Sequence, residues 1–199
     1  MQVNPTPPSG DGEEADLVRR AITGEESAWE ILVRKYQEPV FRIAYLFLAD
    51  ADDAEDVAQE TFLRAYRSLK SFDLSRPLRP WLVTISANQA RNFRRSAGRY
   101  WKALQNLTRE VEHSKALVVA EEEGRGTEYQ DLWRAVRKLP QADQQIIYYR
   151  YFLDLPVSET AQALGIADGT VKSRLARALT RLEAVVTSDF PSLVEEFTG

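Results

Sequence analysis

Cysteine is absent from the 199 residues, and the only histidine is His113. Without thiols the chain can form no disulfide framework, no thiol redox switch and no Cys-based zinc site. One histidine in a polar stretch, with no ligand cluster around it, reads as a lone surface residue. Metal-dependent and Ser-His-Asp chemistry therefore lack raw material, and neither a catalytic site nor a cofactor is expected. Long apolar runs are missing too. The longest uncharged apolar stretch, Ile43 to Ala49, is far too short to span a bilayer, so no membrane insertion is expected. Met1 to Glu14 holds prolines, glycines and acids but no basic segment followed by an apolar one, which is not a signal-peptide pattern; a cytoplasmic protein is expected.

What remains is enough for cores: 44% of the residues are hydrophobic and 28% are charged, over a length that suits one large domain or two small ones. The net charge of −4 argues against nucleic acid only until the charges are located. Asp50 to Glu60 carries six acids and no base, whereas Leu74 to Arg109 carries eight bases and no acid. Glu110 to Asp131 turns acidic again, and Thr170 to Arg181 is basic. Phosphates respond to local patches more than to totals. Such alternation suits a protein that holds DNA with some surfaces and a protein partner with others.

Hydrophobic periodicity is helical wherever it is strong. Residues 1–13 read as a disordered tail. Leu17, Val18, Ala21 and Ile22 predict a short amphipathic helix that Gly24 ends. Ser27 and Glu30 form a capping box for a second helix, which Pro39 should kink or divide. Asp53 is expected to cap a third, with Val57, Phe62, Leu63, Tyr66 and Leu69 as its apolar positions. Lys70 to Pro80 reads as a loop, and a basic helix follows to about Arg95. Residues 101–128 are weakly patterned and read as a linker that can begin helical. From Tyr129 helices return, among them one with six apolar positions between Ile146 and Phe152 that cannot all face one way. The expected architecture is all-α, with two small helical domains, 14–100 and 129–186, joined by a flexible linker and followed by a tail, 187–199.

Residues 157–175, VSETAQALGIADGTVKSRL, have the spacing of a helix-turn-helix. Ala161 is small where two helices must approach, Gly165 sits where the turn needs positive φ, and Asp168 can cap the second helix. At about 100° per residue, Thr170, Arg174, Arg177 and Arg181 gather on one flank of that helix and Lys172 on the other, while Val171, Leu175 and Leu182 form an inner seam. A basic, Ser/Thr-bearing face is what insertion into the major groove requires; an ordinary helical hairpin with a solvated basic face is the alternative.

Upstream, Thr84, Asn88, Arg91 and Arg95 form a polar stripe, with Asn92 and Trp81 on its border. Arginines can hold phosphates and an asparagine can read a base edge, although a solvated face would look the same. Phe93 reads as core before it reads as a base-stacking platform. In residues 53–62, DAEDVAQETF, first-turn acids suit the helix dipole, while Glu60 lies beyond the first turn and fits an exposed acidic docking face.

In this order the segments resemble the extracytoplasmic-function (ECF) sigma factors. Residues 53–66 are similar to the family's segment for the clamp helices of the polymerase β′ subunit. Residues 80–92 resemble its −10 helix, and residues 139–175 its −35-binding domain. The resemblance implies docking through Asp53, Asp56 and Glu60. It also implies −10 contacts by Asn88, Arg91, Asn92 and Arg95 behind a specificity loop at Lys70 to Pro80, and −35 contacts by Thr170, Lys172, Arg174, Arg177 and Arg181. Core RNA polymerase, promoter DNA and an anti-sigma factor are the implied partners. Pro77 and Pro80, which bracket part of the loop, depart from the commonest pattern. After a Ser188/Asp189 cap, the tail offers Phe190, Leu193, Val194 and Phe197 as a packing helix or a regulatory dock. The competing function is a stand-alone helix-turn-helix regulator of duplex DNA, which leaves the acidic segment and the basic helix without a use.

Overall fold

A computed structural model of the chain describes residues 10–107, 127–191 and 193, and every regular element among them is helical. The chain divides into two compact units. The first is built from α1 (Gly10–Ile22), α2 (Glu26–Leu48), α3 (Ala51–Ser68) and α4 (Leu78–Leu107). The start of α1 at Gly10 trims the expected tail, whose residues 1–9 lie outside the described ones. Gly24, at φ 95°, ends this first helical segment as expected.

Helix α2 is the centre of the unit and packs against α1, α3 and α4. Leu32, Tyr36 and Val40 of α2 meet Val18 of α1, Leu69 after α3, and Leu78 and Leu82 of α4 in one core. Each fully buried leucine contributes roughly 1.5–3 kcal/mol by leaving water. This packing explains why Pro39 does not divide α2, one of the two outcomes expected of it. Pro39 is itself buried, and the helix continues for nine residues beyond it, to Leu48, with Val40, Ile43, Ala44 and Phe47 all inside. The capping box is not formed either. The helix begins at Glu26, and Ser27 Oγ donates to the Glu25 carboxylate at 2.9 Å. Hydrogen bonds from Arg20 and Ser27 hold that carboxyl down at about 2.

The cap of α3 is Asp50, not Asp53: the Asp53 amide donates to Asp50 Oδ1 at 2.9 Å. Sequence pattern alone does not separate neighbouring acids, because the cap is decided by which residue leaves the helical backbone, here Asp50 in an extended conformation. A 3₁₀ turn, Leu69–Ser71, then opens the loop before α4. Helix α4 runs through Leu107, so the first part of the expected linker is helical; residues 108–126, and His113 with them, lie outside the described ones.

The second unit contains α5 (Thr127–Lys138), α6 (Gln141–Ile147), α7 (Val157–Leu164) and α8 (Asp168–Asp189). A π-helical turn, Tyr148–Phe152, continues α6. Of its crowded apolar run, Ile146, Ile147, Tyr148 and Tyr149 are buried, whereas Tyr151 is 61% exposed. Helix α8 packs on α5, α6 and α7. It passes residue 186 without a break, so Ser188 and Asp189 end this helix instead of capping another. Its end is tied back to α5 by Lys138, which bonds Asp189 at 2.7 Å and lies over the Phe190 ring. Leu193 is buried, which favours packing over a free dock for this part of the tail; Val194 and Phe197 lie outside the described residues.

Candidate nucleic-acid and docking surfaces

The turn between α7 and α8 follows from one glycine. Gly165 has φ 65°, a left-handed conformation that costs other residues about 1–2 kcal/mol. The Ile166 amide donates to Ala161 O at 3.0 Å and the Gly165 amide to Gln162 O at 3.2 Å, which closes α7 in a Schellman motif. A Cβ on Gly165 would meet nothing within 4 Å, so backbone angle, not space, requires the glycine. Asp168 does not cap α8; Ala167 holds that position and no side chain caps it.

Val171 and Ala178 are the buried positions of α8, and Leu175, expected in the seam, is only half-buried. Lys172, Arg174 and Arg177 are exposed and Thr170 is partly so. Ser173 is exposed between them, nearly opposite Val171 and Ala178. The sequence reading missed Ser173 because it followed charge along one flank; helical phase from Val171 would have found it. Arg181 differs from the other cations. Its Nη1 lies 2.5 Å from Asp143 Oδ2 on α6, a carboxylate only 10% exposed.

On α4, Asn88, Asn92 and Arg95 are exposed and Arg91 is half-buried. Arg91 donates Nη2 to Asn88 Oδ1 and Nε to Ala87 O at 3.2 Å, so the two members of the stripe are bound to each other. Asn92 turns instead toward α3. With Gln89, Phe93 and Ser96 it lines a cleft of about 470 Å³ whose other wall is Asp56, Val57 and Glu60. Phe93, expected in the core, is 37% exposed there. Trp81 is partly buried and packs on Phe72 of the preceding loop, ring centroids 4.9 Å apart. In that loop the Asp73 carboxylate accepts from the Ser75 amide at 3.0 Å and its hydroxyl at 2.7 Å.

Asp53 and Asp56 follow each other along α3, and Glu60 is paired with Arg64 at 2.7 Å. Burial, then repulsion from Asp50, Asp56 and Asp52, raises the Asp53 carboxyl above its ordinary value. Such crowding does not help folding. Beyond the acids, Leu63 and Tyr66, expected to pack, are 53% and 45% exposed. They line an apolar groove of about 620 Å³ with Trp29, Val33 and Phe62, rimmed by Glu26 and Glu30. Among the described residues no His/Cys/Asp/Glu group could hold a metal ion, and no helix is long and apolar enough to cross a membrane.

Two family profiles match the chain: Sigma-70 region 2 over residues 32–100 and Sigma-70, region 4 over residues 129–182. The RNA polymerase sigma factor NccH of Alcaligenes xylosoxydans xylosoxydans is 31% identical, over 86% of this chain and 94% of its own. The ECF RNA polymerase sigma factor BldN of Streptomyces coelicolor is 33% identical, over 92% of this chain and 70% of its own. The sigma factor RpoE from Bartonella quintana, solved in complex with the anti-sigma factor NepR, is 26% identical and superposes with a TM-score of 0.61, covering 80% of this chain and 97% of that one. Matches to both region 2 and region 4 remove the stand-alone regulator as a reading. The chain belongs to the ECF RNA polymerase sigma factors of the sigma-70 family, which bind core RNA polymerase and direct initiation at promoters through −10 and −35 elements.

Proposed function

We propose that three surfaces divide this work, with residues 14–100 serving as region 2 and 129–186 as region 4. The −10 strand is read from α4, by Asn88 with Arg91 and Arg95 on phosphates; Asn92 joins them only where the strand passes the lip of the acidic cleft. The −35 duplex is read from α8 by Thr170, Lys172, Arg174 and Arg177, with Ser173 at the centre of the face. Arg181 reaches phosphate at the cost of its bond to Asp143. Core polymerase docks on α3 through Asp53, Asp56 and Glu60, and the exposed Leu63 and Tyr66 extend that surface. Nucleotide addition belongs to the polymerase.

The observation that carries this reading is the division of charge in the first unit. The outward stripe of α4 is polar and basic, while α3 presents crowded acids beside exposed apolar side chains. One surface attracts phosphate and the other repels it, as a protein holding DNA and a protein partner together needs. An anti-sigma factor, such as accompanies RpoE, is inferred as a further partner, and it would compete for the apolar groove.

Run-off transcription with purified core polymerase tests the assignment. Replacing Asn88 or Arg177 should impair initiation that depends on the −10 or −35 element respectively. Equal activity of both variants on all templates would refute the residue roles.

A further inference from the structure

Helix α4 starts at Leu78. The residue before Leu78 is Pro77, which offers no side-chain acceptor, and Pro80 removes one amide from the first turn. The nearest acid in the loop, Asp73, is committed to Ser75 and to Arg76, whose Nε lies 3.3 Å away. The missing acceptor comes from 64 residues upstream, where Glu14 Oε1 on α1 accepts the Leu78 amide at 3.0 Å. The other oxygen of the same carboxylate accepts from Lys35 Nζ at 2.8 Å and from the Tyr36 hydroxyl, both on α2. The Glu14 side chain is only 15% exposed, and Leu78 is buried.

One carboxylate thus joins α1, α2 and the first turn of α4, immediately after the loop that carries Phe72 against Trp81. A negative charge at a helix N-terminus also interacts favourably with the helix dipole. Three charge-assisted or backbone bonds to one group leave it little freedom, so the direction in which the loop enters α4 is set from α1. We propose that Glu14 is a positioning residue for −10 recognition: it never meets DNA, but it holds the loop and the α4 stripe in the register that reads the strand. The proposal rests on the reading of α4 as the −10 helix.

The test uses full-length protein with core polymerase, measuring transcription from templates that differ only in the −10 element. Glu14→Ala should reduce discrimination among those templates by about tenfold while core affinity stays within about twofold. Glu14→Gln, which keeps an acceptor for the Leu78 amide, should recover most of the discrimination although it loses the charge facing Lys35. A purely structural role would lower the melting temperature and leave discrimination unchanged wherever the variant is folded, and that result overturns the proposal. Asn88→Ala run alongside separates the two ideas. If it alters −10 preference and Glu14→Ala does not, only the positioning role fails; if it has no effect, the reading of α4 itself is at fault. Should Glu14→Ala not fold, amide hydrogen exchange in the wild-type chain decides. Protection at Leu78 comparable with that of α4's interior is expected, and exchange as fast as at Leu74 in the loop overturns the latch.

Discussion

Asp56 and Glu60 stand about one turn apart on α3, and neither is needed to hold the helix in place. Glu60 pairs with Arg64 on an exposed face, an arrangement worth roughly 0.3–0.5 kcal/mol at most. Reversing both charges, Asp56→Lys with Glu60→Lys, should therefore weaken binding to core polymerase while thermal melting hardly moves; unchanged core affinity would remove both residues from the docking surface. Glu14 is the opposite case, an acid that serves the fold. Burial pushes its carboxyl up, but hydrogen bonds from Lys35, Tyr36 and the Leu78 amide outweigh this and hold it below 4.5. Because the folded value lies below the unfolded one, its stabilisation is whole above about pH 4.5 and is lost as pH falls through the lowered value. Melting curves between about pH 6 and pH 3 should slope less steeply for Glu14→Gln than for the wild type. Parallel slopes would show that the carboxylate is not the acid-sensitive group.

At the scale of the element, α8 has to fold and, on the proposed reading, to contact DNA with the same few turns. Gly165→Ala places a Cβ on a left-handed residue at the turn and should cost about 1–2 kcal/mol, measured by urea unfolding of the full chain. A cost near zero would mean that the turn adapts easily. Arg177 and Arg181 lie on the same side of the helix but differ in what they hold. Arg177→Ala should impair −35-dependent initiation with a stability change within about 0.5 kcal/mol. Arg181→Ala strips a mostly buried Asp143 of its cation and should cost about 1 kcal/mol, the exposed half of the pair limiting the loss. If Arg177→Ala destabilises more than Arg181→Ala, the face presented to DNA has to be reassigned.

Across the whole molecule, a chain of net charge −4 sorts its charges by segment, and the proposed contact with DNA depends on that sorting. The bond between Arg91 and Asn88 makes the basic stripe of α4 a coupled pair. Asn88→Ala should change −10 discrimination by about 1–3 kcal/mol if its base contact is a good one. Arg91→Ala should reduce the salt dependence of promoter binding by roughly one charge, and it should also loosen Asn88. The double variant should therefore lose less than the sum of the two singles. Strict additivity in transcription from −10 variants would mean that the bond plays no part once DNA is bound.

Much of this organisation is legible in the sequence because it depends on local rules. Helical periodicity, the positive-φ demand at Gly165, the acid-rich start of α3 and the basic stripe on α4 are all matters of residue type and spacing over a few turns. The sequence by itself determined that the chain is helical, which segment is the helix-turn-helix, and which segments carry each sign of charge. The tertiary structure decided whatever depends on neighbours distant in the chain. Pro39 stays inside α2, a helix packed by three others, with its own side chain buried. Leu63, Tyr66 and Phe93, apolar at helical spacing, are exposed because none of the described elements covers them. Arg181 is held by Asp143, and the amide at the start of α4 is satisfied from α1. Apolarity states that a side chain gains by leaving water, and charge states that it gains from a partner. Which partner, and whether one is present, is set by how the helices are brought together.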